Sequence, residues 1–206
     1  MKTHWLCHKG TPDLILAFAG WGLGTGVFAP LASETDVLCV SDYRALDLPP
    51  DLVRRYARVH LLAYSFGVAS ALHWLARTGV TPARMVAVNG TITPASTKRG
   101  IDPAMIEATA AGLTPATLAA FARRSGHSAP PAAPDIPALQ DELRRIAARG
   151  SAPERPFDRI WISARDRIIP PSAQETAWEA QSAKITRIDT PHQPFRAGQR
   201  WEDWFA

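Results

Sequence analysis

The hydrophobic positions fall into short unbroken runs set off by turn residues, not into the strict alternation of a half-exposed sheet. Residues 14–18 read LILAF, with Thr11-Pro12-Asp13 before them and Gly20-Trp21-Gly22 after. Runs of the same kind recur at 37–40, 59–63, 85–88, 160–163 and 185–188. Apolar runs of this length with such flanks predict strands buried on both faces, as in a parallel sheet covered by helices. Between them lie helical stretches, the clearest at 66–78, apolar nearly all round and stopped by Gly79. Such a helix must be wrapped by protein on most sides. The alternation of strand and helix predicts an α/β doubly wound sheet with helices on both faces.

The rhythm breaks over 92–156. No run there reads as a strand, but Ala-rich helical segments appear around 103–111, 115–124 and 136–149. A proline-rich joint, Ala129-Pro130-Pro131-Ala132-Ala133-Pro134, separates the last two. A helical stretch inserted between two strands predicts a lid rather than a second folding unit. The length of 206 residues fits one domain, 1–206, carrying that lid.

Hydrophobic residues at 46% and charged residues at 20% exclude a disordered chain. Two cysteines, Cys7 and Cys39, make no disulfide framework, and no apolar run is long enough to span a membrane. Met1-Lys2-Thr3-His4 leads into no apolar leader segment, so the expected location is the cytoplasm. The 23 basic residues against 19 acidic ones are too scattered for a nucleic-acid stripe, though they allow a local basic face for an acidic partner.

The sharpest chemical signal is Leu61-Leu62-Ala63-Tyr64-Ser65-Phe66-Gly67, an apolar strand running straight into a helix with serine at the corner. A nucleophile elbow needs this arrangement, with small residues two before and two after the serine so that the chain can double back. Ala63 and Gly67 fill those places. The competing reading is a serine that merely caps the helix. A serine nucleophile needs a base and an orienting acid further along the chain. Of the downstream histidines, His73 lies inside the apolar helix and reads as a packed residue. His127 lies in the Ser125-Gly126-His127-Ser128 loop of the lid and reads as solvated. His192, in Pro191-His192-Gln193-Pro194, follows the last strand and is the expected base. Asp166 follows the strand at 160–163 and is the expected acid; the bland alternative is an ion pair with Arg165 or Arg167. Asp189 and Asp158 are the other acids close by.

The loop Gly20-Trp21-Gly22 after the first apolar run supplies a third element. Acyl hydrolysis develops negative charge on oxygen, which two inward backbone N–H groups stabilise. Those of Phe66 and Trp21 are the expected pair. Gly24-Thr25-Gly26-Val27-Phe28-Ala29 also fits a dinucleotide fingerprint, but Pro30 leaves little room for the helix that would face a phosphate. His4, Cys7 and His8 lack a spaced fourth metal ligand.

With these pieces in place the chain resembles the pimeloyl-[acyl-carrier protein] methyl ester esterases of the BioG type, within the α/β-hydrolases. The resemblance rests on Phe18-Ala19-Gly20-Trp21-Gly22, Asp42-Tyr43-Arg44, Ala63-Tyr64-Ser65-Phe66-Gly67-Val68, Val88-Asn89-Gly90-Thr91, Gly100-Ile101-Asp102-Pro103 and Pro191-His192-Gln193-Pro194-Phe195. Tyr64 and Phe66 stand where that family usually has Trp and Met, Gln193 where it has an aromatic, and the segment 130–137 matches poorly. The resemblance implies an α/β-hydrolase fold and hydrolysis of a pimeloyl methyl ester carried on acyl-carrier protein, in biotin synthesis. Ser65 would be the nucleophile, His192 the base and Asp166 its orienting partner, with no metal or organic cofactor. An acidic carrier would be met by a basic face, for which Lys98, Arg99, Arg123, Arg124, Arg144, Arg145 and Arg149 are candidates. Another ester or thioester substrate, and a non-catalytic carrier-protein binder, remain as alternatives.

Overall fold

The computed structural model describes residues 1–127 and 133–206. Its sheet has seven strands: β1 Lys2–Cys7, β2 Asp13–Phe18, β3 Asp36–Ser41, β4 Arg58–Tyr64, β5 Arg84–Val88, β6 Arg159–Ser163 and β7 Ile185–Ile188. The order across the sheet is β1-β3-β2-β4-β5-β6-β7. Only the β1–β3 pair is antiparallel. All six expected runs are strands. β1 is an addition: its polar Lys2, Thr3 and His4 are exposed, as on an edge strand, and so produce no apolar run. β7 departs from the expected burial on both faces, because it is the opposite edge and Arg187 on it is exposed.

Alternate residues of β2 feed two cores. Leu14, Leu16 and Phe18 join one apolar cluster; Ile15 and Ala17, with Ala19 just beyond the strand, join the other. The first cluster is covered by helix α2, Gly67–Thr78, whose Trp74 is fully buried and donates from Nε1 to the Leu48 carbonyl at 2.9 Å. α2 ends as its sequence predicts, with Gly79 in the left-handed conformation (φ 69°) and its N–H on the Leu75 carbonyl. The second face has a cover of a different kind. Short 3₁₀ turns at Thr25–Phe28 and Glu202–Phe205 lay aromatic rings on it. Phe28 packs on Phe195 and Trp201 at centroid distances of 4.8 and 4.9 Å, and Phe195 on Trp204 at 4.8 Å. The two short helices α1, Asp51–Arg54, and α6, Pro171–Ala177, are too brief to leave a periodic signature.

Between β5 and β6 the chain forms α3 Pro103–Ala111, α4 Pro115–Ser125 and α5 Ile136–Arg149, close to the expected bounds. The reason is the same each time. Asp102, Thr114 and Asp135 cap the starts, a proline stands in each first turn, and glycines 112, 126 and 150 follow the ends. Part of the expected proline-rich joint, 129–132, and Ser128 of the His127 loop lie outside the described residues. α5 packs on α3 through Leu143, Ile146, Ile106 and Ala110, and Arg144 is paired with Glu107 at 2.9 Å. It is also tied to the sheet. Trp21 Nε1 donates to the Leu139 carbonyl at 2.9 Å, and buried Glu142 accepts the Tyr43 N–H at 2.9 Å. Burial pushes the Glu142 carboxyl up to about 7, with Asp42 adding repulsion and the Tyr43 N–H, Arg44 and Lys2 opposing the rise.

Two tests follow from this packing. A Cβ at Gly67 would lie 2.4 Å from the Phe18 carbonyl oxygen and 2.6 Å from that of Ala19. Gly67→Ala should therefore cost at least ~2 kcal/mol, because rigid backbone has to move. Urea melts check this, and a cost near zero would disprove the close crossing. Glu142 holds its proton more tightly when folded, so its contribution to stability is full below about pH 4.5 and is lost as the pH rises through about 7. Glu142→Gln should match the wild type near pH 4.5 and exceed it by roughly 1–3 kcal/mol at pH 8.5. Equal melts for the two proteins at both pH values would contradict this.

Candidate active site

Three glycines let three strand ends converge. Gly67 lies against the end of β2, as described. A Cβ at Gly90, just after β5, would lie 2.3 Å from the Ser65 carbonyl oxygen, and one at Gly20, just after β2, 2.9 Å from the Tyr64 ring. Only a residue without a side chain permits such approaches. Ser65 follows β4 at φ 57°, the left-handed region that L-residues rarely adopt, and Val88 accepts its N–H at 2.9 Å. This is the strained strand-to-helix corner that the sequence predicts.

The loop after β7 brings His192 over that corner. His192 Nε2 is 3.0 Å from Ser65 Oγ, and Nδ1 is 2.7 Å from Asp166 Oδ2. The carboxylate accepts, so Nδ1 carries the proton and Nε2 is left to accept from the serine hydroxyl. All three groups are buried: Ser65 is 5% exposed, Asp166 6% and His192 1%. Asp166 also accepts the N–H groups of Ile168 and Ile169 at 2.8 and 3.0 Å and the Gln174 side-chain amide at 2.9 Å. The ion-pair alternative for Asp166 does not describe the site, because Arg165 pairs instead with exposed Asp189 at 2.8 Å. Asp158 is occupied in accepting the Met85 N–H at 2.8 Å.

The other histidines have different surroundings. His73 is half-buried on α2 with Nε2 3.4 Å from the Gly150 carbonyl, and burial lowers its proton affinity. His127 is half-buried with the same downward shift, rather than freely solvated. Among the described residues no three His, Cys, Asp or Glu side chains form a metal cluster. Cys7 instead donates to the Ser33 carbonyl, and His8 packs edge-on against Trp5. The glycine fingerprint at 24–29 forms a single 3₁₀ turn with Val27 and Phe28 buried, and Gln193 Nε2 donates to the Val27 carbonyl at 2.9 Å.

Two buried residues shape the site without having been given a role from the sequence, although Asn89 belongs to one of the motifs that carry the resemblance. Asn89, fully buried at φ 47°, donates from Nδ2 to both Ser163 Oγ and the His192 carbonyl at 2.7 Å, and accepts the Ser163 N–H at 2.7 Å. It therefore fixes the His192 main chain to β6. Its signal is the Asn-Gly pair at a strand end, since Asn tolerates positive φ. Gln174 of α6 anchors Asp166, and nothing in its sequence surroundings marks it.

Ser65 opens into a cleft of about 90 Å³ lined by Trp21, Phe66, Ile101, Met105, Phe121 and Leu143, with Arg124 and Arg167 at its rim. Neither the Trp21 nor the Phe66 amide donates to a described backbone carbonyl. Of the basic candidates, Lys98, Arg99, Arg123 and Arg124 are exposed. Arg144 and Arg145 are paired with Glu107 and Asp141, each at 2.9 Å. Arg149 is half-buried, its Nη2 donating to the Tyr43 carbonyl at 2.5 Å. Exposed Arg167, at the rim of the cleft, was not among the candidates.

Comparisons with known proteins give the family and the fold. The model of the family described as pimeloyl-ACP methyl esterase BioG matches residues 1–133. A Bacteroides fragilis protein named malonyl-[acyl-carrier protein] O-methyltransferase is 34% identical over 200 residues; these are 90% of this chain but only 40% of that protein's length. The crystal structure of BioG from Haemophilus influenzae superposes with a TM-score of 0.87 at 29% identity, covering 100% of both chains. An alpha/beta hydrolase fold protein from Burkholderia ambifaria shares the fold at 20% identity and a TM-score of 0.60, over 93% of this chain and 87% of that one. With its first 133 residues matched and its whole length superposable on a solved member, the chain belongs to the pimeloyl-ACP methyl esterase BioG family, on an α/β-hydrolase fold.

Proposed function

We propose that this chain is a serine carboxylesterase that hydrolyses the methyl ester of a pimeloyl chain held on acyl-carrier protein, giving pimeloyl-carrier and methanol in the cytoplasm. Membership of the BioG family supports the substrate. The observation that carries the chemistry is the buried relay from Ser65 Oγ to His192 Nε2 at 3.0 Å and from Nδ1 to Asp166 at 2.7 Å. Ser65 Oγ attacks the ester carbonyl while its proton passes to His192 Nε2. The Trp21 and Phe66 amides stabilise the resulting oxyanion. Collapse of the tetrahedral intermediate expels methoxide, which takes the proton from Nε2 and leaves as methanol. Water then adds to the acyl-serine as His192 Nε2 accepts its proton; collapse of the second tetrahedral intermediate breaks the bond to Ser65 Oγ, the proton returns from Nε2 to Oγ, and the pimeloyl acid leaves and ionises. Residues 92–156 act as the lid of one domain spanning 1–206, and their helices give the cleft an apolar wall suited to a methylene chain. Among the described residues no helix is long and apolar enough to cross a membrane.

Ser65→Ala should lose ~10⁴-fold or more in kcat while leaving the fold intact, because a nucleophile in an interdependent relay has no substitute. Retention of a tenth of the activity on a pimeloyl-carrier methyl ester would sink the assignment. Asp166→Asn should cost ~10³–10⁴-fold by favouring the wrong imidazole tautomer, whereas Asp189→Asn should change kcat little. The reverse ranking would move the acid to Asp189.

Docking of an acidic carrier is assigned to the exposed cations near the cleft, Arg123, Arg124, Lys98 and Arg99. Reversing Lys98 and Arg99, neither of which lines the Ser65 cleft, to Glu should slow capture of carrier-bound ester but leave a small neutral ester unaffected. The difference should shrink with salt as the screening length falls from ~10 Å at 0.1 M to ~3 Å at 1 M. Measuring kcat/KM for both substrates across a salt series decides this: equal losses on the two would mean that these charges support folding, not docking.

A further inference from the structure

Asp42-Tyr43-Arg44 follow β3 and have no place in the proposed chemistry, yet the turn is held by several hydrogen bonds. Asp42 has φ 62°, a region that favours glycine, and Arg44 grips its carboxylate with two bonds of 2.8 and 2.7 Å. The turn delivers Tyr43 into full burial, its ring stacked on Phe18 at 6.0 Å and 9°. The phenol donates to the Ala19 carbonyl at 2.7 Å, with the Val40 carbonyl a second acceptor at 3.1 Å. Ala19 is two residues before Trp21. α5 meanwhile holds both ends of Tyr43's own main chain, Glu142 accepting its N–H at 2.9 Å and Arg149 donating to its carbonyl at 2.5 Å. The same helix accepts the Trp21 indole at Leu139. The loop that ends at Gly22 is thus joined to α5 twice, directly through Trp21 and indirectly through Tyr43.

We propose that Tyr43 is a positioning residue that aligns the Trp21 amide with the developing oxyanion and makes that alignment depend on the seating of α5. The inference rests on the serine-esterase reading. An oxyanion donor works only within a few tenths of an ångström of its best distance, so a loop slackened at Ala19 loses transition-state stabilisation before it loses substrate binding. Lid and chemistry are coupled through one buried phenol: when α5 lifts, its holds on Tyr43 and on the Trp21 indole are released together.

Tyr43→Phe keeps the ring and its stacking while removing the hydroxyl. On a small neutral ester its kcat should fall at least ~10-fold with KM within about 2-fold, and the fraction of serine labelled at completion by a fluorophosphonate should be unchanged. Trp21→Phe should also lower kcat, with KM free to change because Trp21 lines the cleft. The double variant should lose less than the product of the two single losses, because both act on one loop. A lower melting temperature with kcat within about 2-fold of wild type would overturn the inference, as would a loss confined to KM or a fully multiplicative double variant. If Tyr43→Phe fails to fold, Arg149→Ala must show the same kcat loss and Arg149→Lys must recover most of it; an unaffected Arg149→Ala overturns the coupling. Activity retained by Ser65→Ala would instead defeat the underlying reading. An inactive Ser65→Ala beside a fully active Tyr43→Phe defeats only the role of Tyr43.

Discussion

The site depends on a steric constraint: three strand ends meet more closely than any side chain allows. Gly67 under the carbonyls of Phe18 and Ala19, Gly90 against the Ser65 carbonyl and Gly20 against the Tyr64 ring let β2, β4 and β5 end within contact of one another. These strands are neighbours in the order β2-β4-β5, so the convergence follows from topology as well as composition. A helix starting at Gly67 then has one path, and Ser65, two residues before it, turns through positive φ to reach it. The strain at Ser65 is thus imposed by the crossing of main chains and would persist without the hydroxyl. Sites of this kind keep a strained residue because the surroundings over-determine it.

Around that corner the buried polar groups are almost fully paired, and they connect elements far apart in the chain. Asn89 joins β5 to β6 and to the His192 main chain; Gln174 joins α6 to Asp166; Gln193 accepts Arg196 and donates to Val27. In a low-dielectric interior such groups are costly when unpaired and specific when paired, so each fixes one geometry. Tyr64, Thr91 Oγ1 and Gln174 Oε1 are exceptions near the site among the described residues. The Tyr64 phenol is buried without a partner, and that burial holds its proton far more tightly than usual, while its ring packs 5.1 Å from the His192 ring. It supports the imidazole by shape rather than by hydrogen bonding.

The parts of the molecule that were legible in the sequence are those governed by local rules. Runs such as 14–18 and 85–88 are strands because burial on both faces demands uninterrupted apolar residues. The Asp-Pro and Thr-Pro starts of α3 and α4 mark their own bounds through capping. Ser65, Asp166 and His192 stand out because each follows a strand in the order that the chemistry requires. What escaped depends on tertiary placement. β1 borrows its hydrogen bonds from β3 and has no apolar run of its own. Gln174 reaches Asp166 from a seven-residue helix with no periodicity to announce it. The inward turn of Arg149 depends on where α5 lies against Tyr43, and a basic residue at a helix end looks the same from the sequence whether it faces solvent or a carbonyl.

The unequal covers of the two sheet faces bear on how the molecule opens. One side is closed by a twelve-residue hydrogen-bonded helix; the other by aromatic rings carried on single turns. Segments with few ladder hydrogen bonds separate at lower free energy than the elements they cover, so the aromatic side should be the first to part in native-state fluctuations. Cys39 lies on that side, fully buried, with burial pushing its thiol up to about 12, so that in the closed state it has neither access nor thiolate with which to react. Its reactivity is accordingly tied to the opening of that face alone. Cys39 is thus an internal reporter, and the rate at which a thiol reagent finds it, read apart from that of partly exposed Cys7, measures how often the aromatic cover lifts.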